Sequence, residues 1–259
     1  MLFPTVLICA TAFSLVAARL TRSPDAPVLL GRADVTLADG TSMQYGTLAP
    51  EGLEWQSSGV LIKGGCSSTL QFITDCYELE LSDDPSQELD PGYATARQRI
   101  EFLTPHQNDG TSWKYTWRSY YQSYDTGSNS FFHIMQMCVL RIIGLSLSDT
   151  GGGPAVFLDI LASGVALKDV TTSTVIATAT VASLLATPLQ HTLSVTYGPS
   201  GKLDYAITNS QTAASILKVS KTGAFGAGEN YLKFGMYRAV YTGMPGLKSW
   251  YGDYTAEQT

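Results

Sequence analysis

Residues 230 to 239 read Asn-Tyr-Leu-Lys-Phe-Gly-Met-Tyr-Arg-Ala, an alternating pattern that predicts a β-strand. One face of this strand is apolar: Leu232, Phe234 and Met236. The opposite face has a cation between two phenols and a glycine that leaves space between side chains: Tyr231, Lys233, Gly235 and Tyr237. Such a face is either a floor for an anionic, ring-shaped ligand or the tyrosine-rich outside of an ordinary half-buried strand.

Similar short alternating or apolar runs recur along the 259-residue chain, and Gly, Pro, Asn, Asp and Ser clusters separate them. Residues 192–209 predict a hairpin around the loop Gly198-Pro199-Ser200-Gly201, whereas residues 177–186 fit either a short helix or a strand. The predicted strands are 33–37, 59–62, 76–81, 97–102, 112–121, 130–140, 155–161, 192–197, 203–208, 231–241 and 249–255. No repeat or interdomain linker interrupts them, so we expect one all-β domain.

The composition and the N-terminus indicate a secreted protein. Charged residues make up 15% of the chain, the net charge is -6 and no basic run occurs, which argues against a nucleic-acid partner. Residues 1–18 predict a signal peptide, because Leu2 to Val16 is apolar and small residues follow at the cleavage position. We therefore expect an extracellular, monomeric protein whose single domain spans residues 19–259 and which has no membrane contact after signal removal.

Three cysteines remain after removal of such a signal. Cys66 and Cys76 are close in the sequence and are predicted to form a disulfide in an oxidising compartment. Cys138 is then unpaired, and its apolar surroundings predict a buried, inert thiol. No Cys or His pair has the spacing of metal ligands, so no metal site is predicted.

Two further predicted strands carry groups of chemical interest. Residues 97–101 put Arg97, Arg99 and Glu101 on one face, either as the wall of a wet cleft that grips a sugar carboxylate or as a solvated ion-pair face. His133 and Gln136 are three positions apart, so in a regular strand they face opposite ways. Either one of them is structural, or a β-bulge brings both to one face.

The aromatic run 113–121 also alternates, with Trp113, Tyr115 and Trp117 on a face typical of core packing. Lys114 and Arg118 lie on the other face and are predicted to contact an acidic ligand. His106 is placed in a loop, either at the edge of the cleft or simply exposed to solvent, and His191 is expected to be structural.

Three segments, Arg97–Glu101, His133–Gln136 and Tyr231–Tyr237, together resemble the β-jelly-roll polysaccharide lyases, which include alginate lyases and fungal glucuronan lyases. Alginate lyases carry R-x-E-L-R, Q-I-H and Y-F-K-A-G-x-Y strands in that order. The third motif matches best, and the first keeps its R-x-E pair. In the second, the histidine precedes the glutamine, which favours a related jelly-roll lyase family over the alginate lyases themselves.

The resemblance implies a β-jelly roll, a concanavalin-like sandwich of two antiparallel sheets, and β-elimination on a uronate-containing polysaccharide. The resemblance implies Tyr237 as the acid, and either Tyr237 or His133 as the base. It implies Gln136 with Arg99 or Arg97 on the substrate carboxylate. Substrate would be held by Arg97, Glu101, Lys114, Arg118, Tyr231 and Lys233. Neighbouring cations are expected to lower the pKa of Tyr237. No cofactor is required, although some jelly-roll lyases carry a structural calcium ion.

Three alternatives stay open at this point. The first is a non-catalytic, lectin-like protein on the same sandwich, and the second is a structural secreted protein. The third is a jelly-roll glycoside hydrolase, which needs two carboxylates beside the scissile bond. Glu78 and Glu80 are the nearest such pair.

Overall fold

The computed structural model describes residues 34–48, 52–66, 70–127, 131–140 and 153–259. Residues 33–259 form one compact unit. Its strands are β1 (Val35–Asp39), β2 (Gln44–Leu48), β3 (Leu53–Ser57), β4 (Val60–Lys63), β5 (Cys76–Leu81), β6 (Arg97–Leu103), β7 (Gln107–Asn108), β8 (Ser112–Tyr121), β9 (Phe132–Leu140), β10 (Pro154–Leu161), β11 (Gly164–Asp169), β12 (Thr174–Ala179), β13 (Leu189–Thr196), β14 (Gly201–Asn209), β15 (Ser215–Gly223), β16 (Glu229–Ala239) and β17 (Leu247–Gln258).

The strands form two antiparallel sheets, as the predicted β-jelly-roll sandwich requires. One sheet has the order β1-β4-β5-β17-β8-β13-β14-β15. The other has the order β12-β11-β10-β9-β16-β6-β3-β2, with β7 paired to β16 off this path. β16 therefore lies near the middle of its sheet, between β9 and β6, and the predicted all-β fold class is confirmed.

The core lies between the two sheets and is built by the apolar faces that the alternation predicted. Leu232, Phe234 and Met236 of β16 are at most 1% exposed. Phe234 stacks on Trp117 of β8 with ring centroids 4.9 Å apart, which joins the two sheets directly. Each such fully buried apolar side chain contributes roughly 1.5–3 kcal/mol. Because one face of β16 is committed to this core, its other face must point away from the sandwich.

Most predicted strands are confirmed, with ends that differ by a few residues. The 192–209 hairpin is confirmed, since Thr196 pairs with Lys202 across its loop. The ambiguous segment 177–186 ends β12 at Ala179 and then forms a short 3-10 helix, Val181–Ser183. The strands β2, β3, β7, β11, β12 and β15 were missed. Several of these have mixed or mostly exposed faces, so their apolar pattern is weak.

The disulfide between Cys66 and Cys76 is present, with the two Cα atoms 6.1 Å apart. Cys138 is unpaired and buried, as predicted, and burial raises the pKa of its thiol to about 11. The predicted signal peptide, residues 1–18, lies outside the described residues. Among the residues that the structure describes, none belongs to a helix with the length and apolar character of a membrane span.

Candidate functional site

Polar side chains collect on the outward face of β6, β16 and β9. We call this set the polar floor; its members are Arg97, Arg99, Glu101, His133, Gln136, Tyr231, Lys233 and Tyr237. Strand register brings them together, because Tyr237 pairs with Arg99 on one side and with His133 on the other. The three sequence segments that suggested a lyase are therefore adjacent in space.

A β-bulge places His133 and Gln136 on the same face. Gln136 pairs with Phe157 and His133 pairs with Asp159, so β9 has one residue more than β10 over this stretch. On its other side β9 is paired with β16, which in turn has one residue more than β9 between Lys233 and Tyr237. Ile134 and Met135, which lie between them, both enter the core and are at most 2% exposed. The second of the two sequence interpretations, a bulge, is thus correct.

Gly235 lies at this bulge, and its backbone explains why a glycine is needed there. Its φ is +144°, and a Cβ would lie 2.2 Å from the carbonyl oxygen of Ile100. The hydroxyl of Tyr251, from the opposite sheet, donates to the Gly235 carbonyl at 2.8 Å. The glycine therefore serves the backbone conformation first, whereas the sequence had suggested space between side chains as its role.

Glu101 is the centre of the hydrogen bonds on the polar floor. Its carboxylate accepts from the amide of Gln136 at 2.6 Å and from the amide of Gln56 at 3.0 Å. Arg99 Nη1 and Lys233 Nζ lie 3.7 and 3.8 Å from the same carboxylate. Glu101 thus holds four donor-bearing side chains in one geometry, as proposed from sequence for its arginine neighbour.

Arg99 is clamped beneath the phenol of Tyr237. It pairs with Asp90 at 2.6 Å, and its guanidinium lies 4.3 Å from the centre of the Tyr237 ring. Asp90 and Arg99 are both less than a tenth exposed, so neither charge is screened much by water. The buried carboxylate keeps Arg99 in place below the ring.

Arg97 approaches Tyr237 from the solvent side. Its Nη1 donates to the Tyr237 hydroxyl at 2.5 Å. Its guanidinium lies 4.0 Å from the centre of the Tyr93 ring and 5.6 Å from that of Phe131. Tyr93 is about half exposed and forms the rim of the site.

The pKa of Tyr237 is raised, which corrects the sequence-based expectation that nearby cations would lower it. Burial of the phenol is the largest cause, and the guanidinium groups of Arg99 and Arg97 offset only part of it. The two arginines do act in the expected direction, but the sequence did not reveal the depth of burial. Tyr237 therefore carries its proton at neutral pH and is suited to donate it.

His133 lies in a pocket of aromatic rings with an acidic side chain at its base. Its ring centroid is 4.7 Å from that of Phe131 and 4.5 Å from that of Phe157. Nδ1 makes a short contact with the carboxylate of Asp159. The His133 and Tyr237 ring centroids are 5.9 Å apart, so both side chains face one space.

Tyr231 and Lys233 extend the floor towards the other end of β16. His106 stacks on Tyr231 at 4.8 Å and its Nδ1 lies 3.1 Å from Glu229, so the predicted loop histidine does lie at the edge of this surface. A groove of about 460 Å³ continues the same side of the sheet at β2 and β3. It is lined by Tyr45, Gly46, Thr47, Glu54, Trp55, Gln56 and Leu103.

Lys114 and Arg118 do not join the polar floor. They lie on β8, which belongs to the other sheet, and point outward on the far side of the sandwich. Arg118 pairs there with Asp253 at 3.1 Å and donates to the Phe72 carbonyl. Alternation had identified the correct face of β8, but it does not indicate to which sheet a strand belongs.

Glu78 and Glu80, the carboxylates considered for a hydrolase, both bind Lys248 on that other sheet, at 2.7 and 2.5 Å. Glu78 also accepts from the indole of Trp250. His191 is fully buried between Ser119 and Tyr205, as its structural assignment predicted. Within the described ranges, no group of three or more His, Cys, Asp or Glu side chains could hold a metal ion, so no residue is assigned to a calcium ion.

Sequence reasoning missed several groups that shape the site: Gln56, Asp90, Tyr93, Phe157, Asp159 and Lys168. For Asp159 a signal existed, because residues 154–161 alternate and place it on the face opposite Val156, Leu158 and Ile160. Asp90 and Tyr93 come from the acidic connection between β5 and β6. That segment resembles a solvated loop, and only the fold brings it over the arginines.

Comparison with known structures supports the fold. The chain is similar to an endo-β-1,4-glucuronan lyase from the fungus Trichoderma reesei, with a TM-score of 0.50 and 13% identity over 71% of this chain and 81% of that one. It is also similar to a family 7 alginate lyase crystallised with substrate, with a TM-score of 0.50 and 7% identity over 71% and 78% of the two chains. No protein-family model and no curated protein sequence matches it. The protein thus has the jelly-roll fold of polysaccharide lyases.

Proposed function

We propose that this protein is a secreted polysaccharide lyase that cleaves a uronate-containing polymer, glucuronan-like or alginate-like, by β-elimination. The supporting observation is the convergence of His133, Gln136, Arg99 and Tyr237 on one face of the central strands. These groups supply a base, a carboxylate-binding amide and cation, and an acid. Disulfide formation by Cys66 and Cys76 is compatible with an extracellular location.

The reaction needs the uronate carboxyl group to accept negative charge while the C5 proton leaves. Gln136 and Arg99 lie beside Glu101 and would donate hydrogen bonds to that carboxyl group. Lys233 adds a positive charge on the same side of Glu101. On this part of the polar floor three cationic side chains, Arg97, Arg99 and Lys233, lie beside two carboxylates, Asp90 and Glu101. The excess of positive charge favours an anionic substrate.

Two side chains divide the proton transfers. His133 takes the C5 proton, and the electron pair of that C–H bond forms the C4–C5 double bond. The C4–O bond breaks, and the departing oxygen takes the proton of Tyr237, whose raised pKa keeps it protonated until then. His133 then loses its proton to water, and Tyr237 regains one. Tyr231, with His106 stacked on it, would contact a neighbouring sugar.

The test is incubation of the purified protein with glucuronan, alginate and other acidic polymers, with ultraviolet absorbance of unsaturated uronate ends as the readout. Tyr237→Phe is expected to slow product formation by roughly 10²–10⁴-fold. The matched control is Tyr241→Phe, because Tyr241 donates to the buried Asp125 away from the polar floor. Binding of an acidic polymer without unsaturated products would favour the lectin-like alternative.

A further inference from the structure

Asp159 is a buried carboxylate that belongs to none of the three lyase-like segments. It lies on β10 directly opposite His133 of β9, and its side chain is only 2% exposed. One oxygen contacts Nδ1 of His133, and the other lies 3.5 Å from Nζ of Lys168 on β11. A buried carboxylate is costly without partners, and these two residues are the partners that the structure gives it.

The contact with Asp159 decides which nitrogen of His133 carries the proton. A carboxylate accepts hydrogen bonds, so the Nδ1 that touches it carries the hydrogen in the neutral ring. Nε2 then holds the lone pair. No hydrogen bond joins Nε2 to any residue in the described part of the chain, and the imidazole ring stacks on Phe131 and packs against the tilted ring of Phe157.

We propose that Asp159 is the positioning residue of the base: it fixes the Nδ1–H form of His133, aims Nε2 at the C5 proton and stabilises the imidazolium that forms. Lys168 weakens the stabilisation of the imidazolium, because its ammonium group interacts with the second oxygen of the Asp159 carboxylate. This inference rests on the proposed lyase function for its kinetic consequence, but the tautomer is a property of the protein alone. Asp159 itself touches no substrate.

The charged and titratable groups around His133 come from four strands, and each bears on its protonation. They are Asp159 on β10, Lys168 on β11, Tyr237 on β16, and Arg97 and Arg99 on β6 behind that tyrosine. Asp159 favours the imidazolium, whereas Lys168 and the arginines oppose it. Removal of Asp159 and removal of Lys168 should therefore act in opposite directions.

The first experiment needs no substrate. Heteronuclear NMR of the imidazole nitrogens, assigned by comparison with His133→Gln, is expected to show the Nδ1–H form in the wild-type protein. Asp159→Asn should give a mixture of both tautomers, while Lys168→Met should keep the Nδ1–H form. An Nε2–H tautomer in the wild-type protein overturns the proposal.

The second experiment is kinetic. Asp159→Asn is expected to lower kcat at least about tenfold with KM little changed, since a correctly placed general base contributes roughly 10²–10⁴-fold. In Asp159→Asn the acid limb of the kcat–pH profile is expected to move to lower pH. In Lys168→Met the acid limb is expected to move to higher pH. Asp169→Asn is the matched control, because Asp169 is an equally buried carboxylate that pairs with Lys221 at 2.7 Å on the other face of β11.

The control separates positioning from stability. Asp169→Asn should lower the melting temperature while leaving kcat and its pH profile unchanged. If Asp159→Asn behaves in the same way, or if both Asp159→Asn and Lys168→Met shift the acid limb in one direction, the proposal is refuted. Absence of unsaturated products from every polymer would refute the lyase function instead, and the NMR result would still decide the role of Asp159. If Asp159→Asn does not fold, the proposal is tested by the tautomer of His133 in the wild-type protein and by the shift of the acid limb of the kcat–pH profile in Lys168→Met.

Discussion

Replacement of Glu101 by glutamine should weaken the fold and, at the same time, tighten substrate binding. Glu101 holds the amides of Gln56 and Gln136 and lies within 4 Å of the charged groups of Arg99 and Lys233. It is also the negative charge nearest to the place where a uronate carboxylate would lie. Glu101→Gln keeps the size and an acceptor oxygen but removes that charge.

The two effects have different sizes. Loss of one partner from a buried ion pair typically costs 3–5 kcal/mol; because Arg99 keeps Asp90, we expect about 2–3 kcal/mol. That corresponds to a melting temperature lower by roughly 5–10 °C for a domain of this size. Relief of the repulsion between two carboxylates in a partly wet cleft is worth about 1 kcal/mol, so KM should fall about fivefold.

The assay is the initial rate of unsaturated-product formation at low and high salt, together with thermal unfolding. The drop in KM should shrink as salt is raised, because exposed charges are screened. Glu257→Gln, at the exposed end of β17 on the other sheet, is the control and should change neither quantity. A KM that rises in Glu101→Gln would refute the reasoning and indicate that Glu101 serves mainly to orient Gln136 and Arg99.

Further changes test other parts of the structure. Tyr237→Phe should lower kcat by roughly 10²–10⁴-fold without loss of the fold, measured by product absorbance and circular dichroism. Gly235→Ala should destabilise the protein by about 1–3 kcal/mol or more in urea unfolding, because its φ is +144° and a Cβ would strike the Ile100 carbonyl. Tyr45→Ala in the groove at β2 should raise KM for long polymers more than for short oligomers, since it removes an exposed ring beyond the polar floor. Burial lowers the pKa of His191 to about 3, so the unfolded chain takes up its proton first as the pH falls below about 6.5; unfolding free energy should drop by about 1.4 kcal/mol per pH unit there, and His191→Gln should flatten that slope.

The alternating pattern correctly predicted which face of β8 and of β16 is buried, because every second residue of a half-buried strand is apolar. The apolar side of β16 and the Trp117 side of β8 both enter the core. The same pattern indicated that Arg97, Arg99 and Glu101 share a face, and the structure places all three on the polar floor. The alternating pattern does not indicate which strands are neighbours in a sheet.

That missing information explains the errors in the site. Lys114 and Arg118 face outward as expected, yet β8 belongs to the other sheet, and pairing between distant strands decides this. The raised pKa of Tyr237 has a similar origin, because it depends on burial that no local pattern encodes. Asp90 likewise comes to Arg99 from the long acidic connection between β5 and β6, and no local pattern in that segment indicates the contact.

The bulge in β9 connects the fold to the proposed chemistry. In a regular strand, His133 and Gln136 would face opposite sides, and a base on one side of a sheet cannot act with an amide on the other. Two consecutive core residues, Ile134 and Met135, accommodate the residue by which β9 exceeds β10. β16 in turn has one residue more than β9 here, and Gly235 lies at that position with a φ of +144°. A pair of adjacent apolar residues inside an otherwise alternating strand is thus a readable sign of a bulge. Here it brings a histidine and a glutamine with unfavourable spacing to the same face of the sheet, the polar floor.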